Sequence, residues 1–449
     1  MTFSIHAKTL TLVGAALTFT CLSTTQAQAE DYRAMCTKFV HKATGKGKTA
    51  TPEKPAKDLG NIISRLEAGD VVCIAEGEYM GRGENGVDDI NLAVSVIGGF
   101  SPDFTARDPW GAHKTVFTGQ HNSENFATQA RLSIDTAKTA TRLMEARGQS
   151  TAHKIIVDGL IFDNGKRNYY KTPKEALIVR KGTASDTPTP ESGALIVRTG
   201  VNGTVIVKNN VATNFAPTEG VFSLFGGKGA EVTVENNVAV NNTGAGFRIG
   251  TAFTGDDIPT YKIKNNISMF NEKHTAFGTF GGSGIMLESS TAVEMTGNVF
   301  AYNDNFGVDN AKRSKNVIMN GNIISTNANA DYLEFSSKMD YDEIEDESDL
   351  MDEAEDNINT APTFEFSGDW VKYYLSRSVI DRNAAEADVK VAKTWQNDVR
   401  SMFGLNLQGS DLNVDSATWL PRMSLEDAMS AAKTYDGGAG VTVPTPEKY

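Results

Sequence analysis

The sequence predicts an all-β parallel solenoid, a chain wound into stacked coils, and three observations carry that prediction. Short β-branched runs recur between Lys154 and Phe335: "IIVDGLIFDN", "VIVKNNVATN", "VTVENNVAVNN", "YKIKNNISMFN", "VEMTGNVFAYN" and "VIMNGNIISTN". Each contains a polar doublet whose last residue is Gly159, Asn210, Asn237, Asn266, Asn298 or Asn322, and the four later spacings are 27, 29, 32 and 24 residues. Such an irregular period suits coils joined by loops of unequal length. Inside the runs apolar residues alternate, as in Val232 and Val234 or Val238 and Val240, which directs one apolar face inward against the coils above and below.

The asparagines have a physical reason. A strand that turns sharply into the next needs a residue that tolerates left-handed backbone, which Asn and Gly do, and stacked Asn side chains can bond the neighbouring coil. A second Asn follows five residues on at Asn164, Asn242, Asn271, Asn303 and Asn327, while the Asn210 copy slips to Asn214. An antiparallel sandwich would instead space its strand pairs 8–12 residues apart, against a self-similar unit here of about 28.

Composition agrees with a folded body. Of 449 residues, 40% are apolar and 22% charged, which excludes collagen, coiled coil and wholesale disorder. The net charge of -13 argues against a nucleic-acid partner. Residues 1–29 read as a secretory signal peptide, with Lys8, an apolar stretch from Leu10 to Leu22, and the small-x-small triplet Ala27, Gln28, Ala29. The apolar stretch is too short for a transmembrane anchor, so the mature chain is expected to have no transmembrane segment. Acylation at Cys21 is the alternative, with Thr18, Phe19 and Thr20 a poor lead-in. Export would place the protein in the periplasm or outside the cell and leave 420 residues at a net charge of -14.

The mature chain keeps Cys36 and Cys73. An oxidising compartment would let them pair, worth about 4 kcal/mol in the chain-entropy model; two unpaired buried thiols are the alternative. Residues 30–58 form an N-terminal segment and linker, in which "GKGKT" imitates a phosphate loop but has Lys42 where the first Gly belongs and no strand before it. Residues 59–335 are the solenoid, lengthened in one coil by a Thr- and Pro-containing insertion from Lys171 to Gly193. Residues 336–360 hold an acidic segment with 11 carboxylates between Asp340 and Asp356, read as a solvated loop or, alternatively, as loose calcium binding. Residues 361–449 carry two expected short helices, Ala384 to Phe403 and Ser424 to Thr434, the second opened by Ser424 and Asp427. Their expected task is to cover the open C-terminal end of the solenoid.

Two stretches then bring a known family into view. "SRLEAGDVVCIAEGEYMG" (Ser64 to Gly81) joins a helical turn, Ala-Gly-Asp, a buried strand and a Gly-x-Tyr turn, and "VIGGFSPDFTARDPWGAHKTVFTG" (Val96 to Gly119) follows it. Together with the coils they resemble the pectate-lyase-like superfamily, over roughly Leu59 to Phe335. The resemblance implies a single-stranded right-handed parallel β-helix with short capping helices. It further implies polysaccharide as the ligand and a groove on the outside of one parallel sheet as the site.

Lyases of this superfamily remove the proton alpha to a uronate carboxylate with a Lys or Arg base, after calcium or a basic side chain has neutralised that carboxylate. The resemblance therefore implies, as catalytic candidates in successive coils, Arg248, Lys273, His274, Lys312 and Arg313, with Lys315 beside them. Asp304, Asp309 and Glu288 are the candidate calcium ligands. Lys166, Arg167, Tyr169 and Tyr170 form a basic and aromatic edge suited to stacking on sugar rings. Against the lyase, Glu288 and Ser289 stand near where the catalytic Lys of alginate and chondroitin lyases would be expected. A glycoside hydrolase is the second choice of enzyme, on Asp256, Asp257, His274, Arg313 and Lys315, but no Gly-His-Gly surrounds His274. Two functions stand: a polysaccharide lyase acting by β-elimination, and a non-catalytic envelope protein that binds glycan or a protein along its solenoid.

Overall fold

The computed structural model describes residues 31–82, 86–118, 130–136, 154–164, 193–215, 217, 220–242, 244–251, 257–271, 281–288, 291–312, 314, 316–327, 329–340, 344, 351–360, 362 and 423–449. Three sheets run the length of the body, and each coil gives one strand to each of them in turn. The fourth coil shows the plan: Thr204–Lys208 enters the first sheet, Val211–Thr213 the second and Gly220–Gly226 the third. Glu231–Glu235, Val238–Val240 and Ala245–Thr251 then stack on them in parallel, without a shift of register. The same succession runs from Val71–Ala75, Gly77–Tyr79 and Asp88–Ile90 to Val317–Asn320, Ile323–Ser325 and Ala330–Glu334. This is the parallel β-helix that the repeats predict.

The turn from the first sheet to the second explains the doublets. The residue before each ladder asparagine is left-handed: Asn209, Asn236, Asn265, Gly297 and Gly321 all have φ between 51° and 65°. The asparagine after it turns inward. Asn237 Oδ1 accepts from the Asn210 amide, and Asn266, Asn298, Asn322 and Asn357 continue the chain, each accepting from the backbone and side chain of the coil before at 2.8–3.0 Å. A second ladder, Asn242, Asn271, Asn303 and Asn327, closes the next corner.

The register corrects one alignment. Ile161 pairs with Val211, so Gly159 matches Asn209, and the counterpart of Asn210 is Leu160, whose amide donates to Asn210 Oδ1 at 3.0 Å. Likewise Asn164 matches Asn214, and Phe215 heads the second ladder by donating its amide to Asn242. The ladders run one way, each asparagine accepting from the coil before it. Their first members therefore need no side-chain acceptor and are apolar.

Both Gly159 (φ 70°) and Gly321 (φ 62°) occupy left-handed corners, but their surroundings differ. A Cβ at 159 would lie 2.4 Å from Arg107 Nη2, whereas nothing lies within 4 Å at 321. Gly321→Ala is thus expected to lose about 1 kcal/mol to backbone strain alone, and Gly159→Ala clearly more, as measured by urea unfolding of both variants.

Alternation places Val232 and Val234 in the interior with an axial row of Phe117, Phe162, Phe222 and Phe247, whose ring centroids are 5.3–6.3 Å apart. Burying each ring is worth about 1.5–3 kcal/mol. Val238 and Val240, expected inside, face outward instead, and Ala239 between them faces in. Val211, Ile267, Met269, Val299 and Ile323 join them, making the outer face of the second sheet apolar.

What covers that face is the C-terminal tail. The helix Leu425–Ser430, capped by Ser424 accepting from the Asp427 amide, rests on the second sheet rather than across the C-terminal end of the solenoid. Residues 423–449 form a strap that runs first from Asn214 toward the C-terminal coils, where Gly437 approaches Ile358, and then back past Gly297 and Asn236 to the first coils. Two corner asparagines clip it as a peptide group would: Asn214 exchanges two bonds with the backbone of Met423, and Asn236 two with Thr442, at 2.7–2.9 Å. Glu447–Lys448 finally pairs antiparallel with Ala106–Arg107. The other expected helix, Ala384 to Phe403, lies outside the described residues.

The solenoid also exceeds its predicted bounds. Lys38–Val40 adds a parallel strand before Val71–Ala75, placing Phe39 beside Cys73, and Cys36 is disulfide-bonded to Cys73 with their Cα atoms 5.7 Å apart. At the far end Met351–Glu353 pairs with Val317–Asn320, Asn357 extends the ladder and Ile344 is buried in the core. Part of the acidic segment is therefore coil, not solvated loop. Its carboxylates hid the few apolar residues that fold it in.

Candidate functional site

The second sheet is covered by the strap, and the third carries a column of side chains of outward parity, Ser133, Ile196, Ser223, Arg248, Met286, Asp309 and Leu333, in register across successive coils; of these Arg248 and Met286 are half-buried and the other five buried. Two residues further along the strands a second column holds Asp135, Arg198, Phe225 and Gly250, with Glu288 following Leu287. Outward parity puts these polar groups on strands that are otherwise apolar.

Their contacts form a row. The Arg198 guanidinium carbon lies 5.2 Å from the Phe225 ring centroid and that of Arg248 5.0 Å from the same centroid. Each arginine is held from its other side by a carboxylate: Arg198 Nη1 to Asp135 Oδ2 at 3.2 Å, and Arg248 Nε and Nη2 to Glu288 Oε1 at 3.0 and 2.9 Å. Gly250 makes the row possible, since a Cβ there would lie 3.0 Å from both the Glu288 and the Phe225 side chains. The side chains of Arg248 and Glu288 keep 21% and 22% of their accessible surface and that of Arg198 32%, so ligands can reach them. A guanidinium carries donors in a planar fork that fits a carboxylate, and an aromatic face suits the C–H face of a sugar ring.

Of the predicted residues, the structure thus joins Arg248 to Glu288, a calcium candidate that serves as the partner of the arginine. Asp309 stands two coils beyond Arg248, about 9–10 Å by strand spacing, and accepts from the Ala311 amide at 3.1 Å. Asp304 is buried at the corner that leads into the third sheet, its amide bonded to the Asn271 carbonyl. Among the described residues no three His, Cys, Asp or Glu side chains come together to hold a metal ion. Lys312 is exposed just past the strand Phe306–Asn310. Lys273, His274, Arg313 and Lys315, together with Lys166, Arg167, Tyr169 and Tyr170, lie outside the described residues.

Asp135, Arg198 and Phe225 were missed in the sequence. The available signal was parity: in "LIVRTG" the arginine falls on the outward position of a buried run, as Arg248 does in "GFRIG".

No protein-family model and no curated protein matches this sequence. Among solved structures the chain is similar to the crystal structure of pectate lyase Pel9A, at 12% identity and a TM-score of 0.30, over 74% of this chain and 84% of that one. The class of this protein, a parallel β-helix, rests on its own sheet topology. No helix among the described residues is long and apolar enough to cross a membrane.

Proposed function

We propose that the protein is exported and binds a polysaccharide along the outer face of its third sheet. The observation that carries this reading is the row Asp135–Arg198–Phe225–Arg248–Glu288, in which two guanidinium groups and an aromatic ring are set by their neighbours before any ligand arrives. Arginines already oriented lose little freedom on binding, which favours carboxylate- or sulfate-bearing sugars over neutral ones. The Cys36–Cys73 disulfide supports an oxidising compartment.

Catalysis by β-elimination is the second reading, and topology favours it. The connection from Met269 to Ile285 carries Lys273 and His274 and enters the third sheet one coil after Arg248; that from Asn310 to Val317 carries Lys312 and Arg313 and leaves it. Of these candidate bases Lys312, exposed just past the strand Phe306–Asn310, is the one among the described residues. Calcium is not required by the binding reading.

Affinity electrophoresis against alginate, pectate, chondroitin sulfate and ulvan tests binding. Arg248→Ala is expected to weaken retention by at least about tenfold, the loss of a charge-assisted hydrogen bond, with an unchanged melting temperature. Equal retention of wild type and Arg248→Ala would reject the site. Absorbance near 235 nm with the same polymers, with calcium or chelator, separates the readings: growth of signal that Lys273→Ala abolishes establishes a lyase.

A further inference from the structure

Both ends of the described body converge on one buried cation. Arg107 keeps 2% of its side-chain surface and donates to the Gly98 carbonyl at 2.9 Å and to Asp158 at 2.6 Å. From the N-terminal side the Tyr32 ring lies over its guanidinium, 4.6 Å from the centroid. From the C-terminal side Glu447 reaches it at 3.4 Å. The next residues complete the closure: the Tyr449 amide donates to the Thr105 carbonyl at 2.7 Å, its hydroxyl donates to Glu447, and its ring packs on Phe100.

Tyr32 is held there by a short helix, Tyr32–Met35, which the next residue, Cys36, ties to Cys73 on the first sheet. Tyr32, Phe39, Phe100 and Phe104 share one apolar cluster with Cys73, and Met35 and Cys36 pack against it. The N-terminal tie and the C-terminal strap therefore meet on the two sides of the same guanidinium.

We propose that the Cys36–Cys73 disulfide and the end of the strap form one redox-sensitive latch, coupled through Arg107. A dithiol breaks the S–S bond by giving up two electrons and two protons, leaves Cys36 and Cys73 as thiols, and closes to its own cyclic disulfide. The helix then loses its covalent tie, the Tyr32 ring leaves Arg107, and water reaches the Arg107–Glu447 pair, whose attraction water weakens. Residues 447–449 come away first. The remainder of the strap, clipped at Asn214 and Asn236, stays on the apolar face of the second sheet. Coupling is reciprocal, so freeing the strap end must ease reduction by the same factor.

Hydrogen exchange of the full chain, oxidised and after dithiothreitol, tests the latch, with thiols counted by mass. The amides of Glu447 and Tyr449 are expected to exchange roughly tenfold faster in the reduced protein, while those of Met423 and Thr442 keep their rates. Unchanged exchange at Glu447 and Tyr449 in verified reduced protein overturns the proposal. So does an equal acceleration along the whole strap and the coils, which would mean general loosening. Tyr32→Leu, with the disulfide intact, must speed the same two amides; wild-type rates there exclude the route through Arg107. Glu447→Gln must shift the thiol–disulfide equilibrium against a glutathione couple toward the thiols, and an unmoved equilibrium also overturns it.

Discussion

Asn298→Leu is expected to lower the unfolding free energy by about 3 kcal/mol or more, because it strips several buried backbone and side-chain groups of their partners at about 1–3 kcal/mol each. Asn298 Oδ1 accepts from both the amide and the side chain of Asn266 at 2.9 Å, and its Nδ2 donates to the Ile263 carbonyl and Asn322 Oδ1 at 2.8 Å. Leucine fits the volume but can answer none of them. Apolar residues do occupy this row at Leu160 and the second row at Phe215, but only where no ladder asparagine of an earlier coil seeks an acceptor. Asn298→Asp keeps the acceptor and loses the donor, so it should stay harmful. Urea unfolding followed by circular dichroism measures the difference; a loss under about 1 kcal/mol would make the ladder a marker of corner geometry and nothing more.

The same ladder shows how far the sequence could be read. Its asparagines recur because each corner imposes one backbone conformation and one bonding pattern, so local demand surfaces as repeated letters. The register at Gly159 was misread because Asp158–Gly159 places its left-handed residue last in the doublet, whereas in "NN" and "GN" it comes first. Val238 and Val240 misled for another reason: alternation reports two faces, and both are apolar when a distant segment covers the outer one. Nothing near residue 238 announces a strap from residues 423–441. The site was half legible. Arg248 stands out among apolar neighbours, but its pairing with Glu288 and shared stacking on Phe225 depend on register across three coils. Loops of 24–32-residue units hide that register from spacing alone.

Arg131→Met should destabilise the first coils by about 3–5 kcal/mol, the usual result of orphaning one member of a buried ion pair. Arg131 and Asp88 keep 0% and 1% of their side-chain surface and meet at 2.7 Å. Arg131 also donates to the carbonyls of Tyr79 at 2.8 Å and of Thr118, and lies over the Phe117 ring, so it joins the strand Leu132–Asp135 to the second sheet. Burial pushes the Asp88 carboxyl above its ordinary pKa against the pull of Arg131. With the arginine gone that pull ends and the folded-state pKa must rise further. A carboxyl whose folded pKa exceeds its unfolded value of about 3.9 carries no penalty below that value and a growing one as pH rises through the folded pKa. The stability gap between wild type and Arg131→Met is therefore expected to be widest at neutral pH and to narrow toward pH 4, as followed by urea unfolding across that range. Adding Asp88→Asn to the variant should remove most of the pH dependence while leaving the loss of the Tyr79 and Thr118 bonds. A gap that stays constant with pH, or that Asp88→Asn does not flatten, would mean that Arg131 stabilises the first coils through packing and its carbonyl bonds, with the charge of Asp88 immaterial.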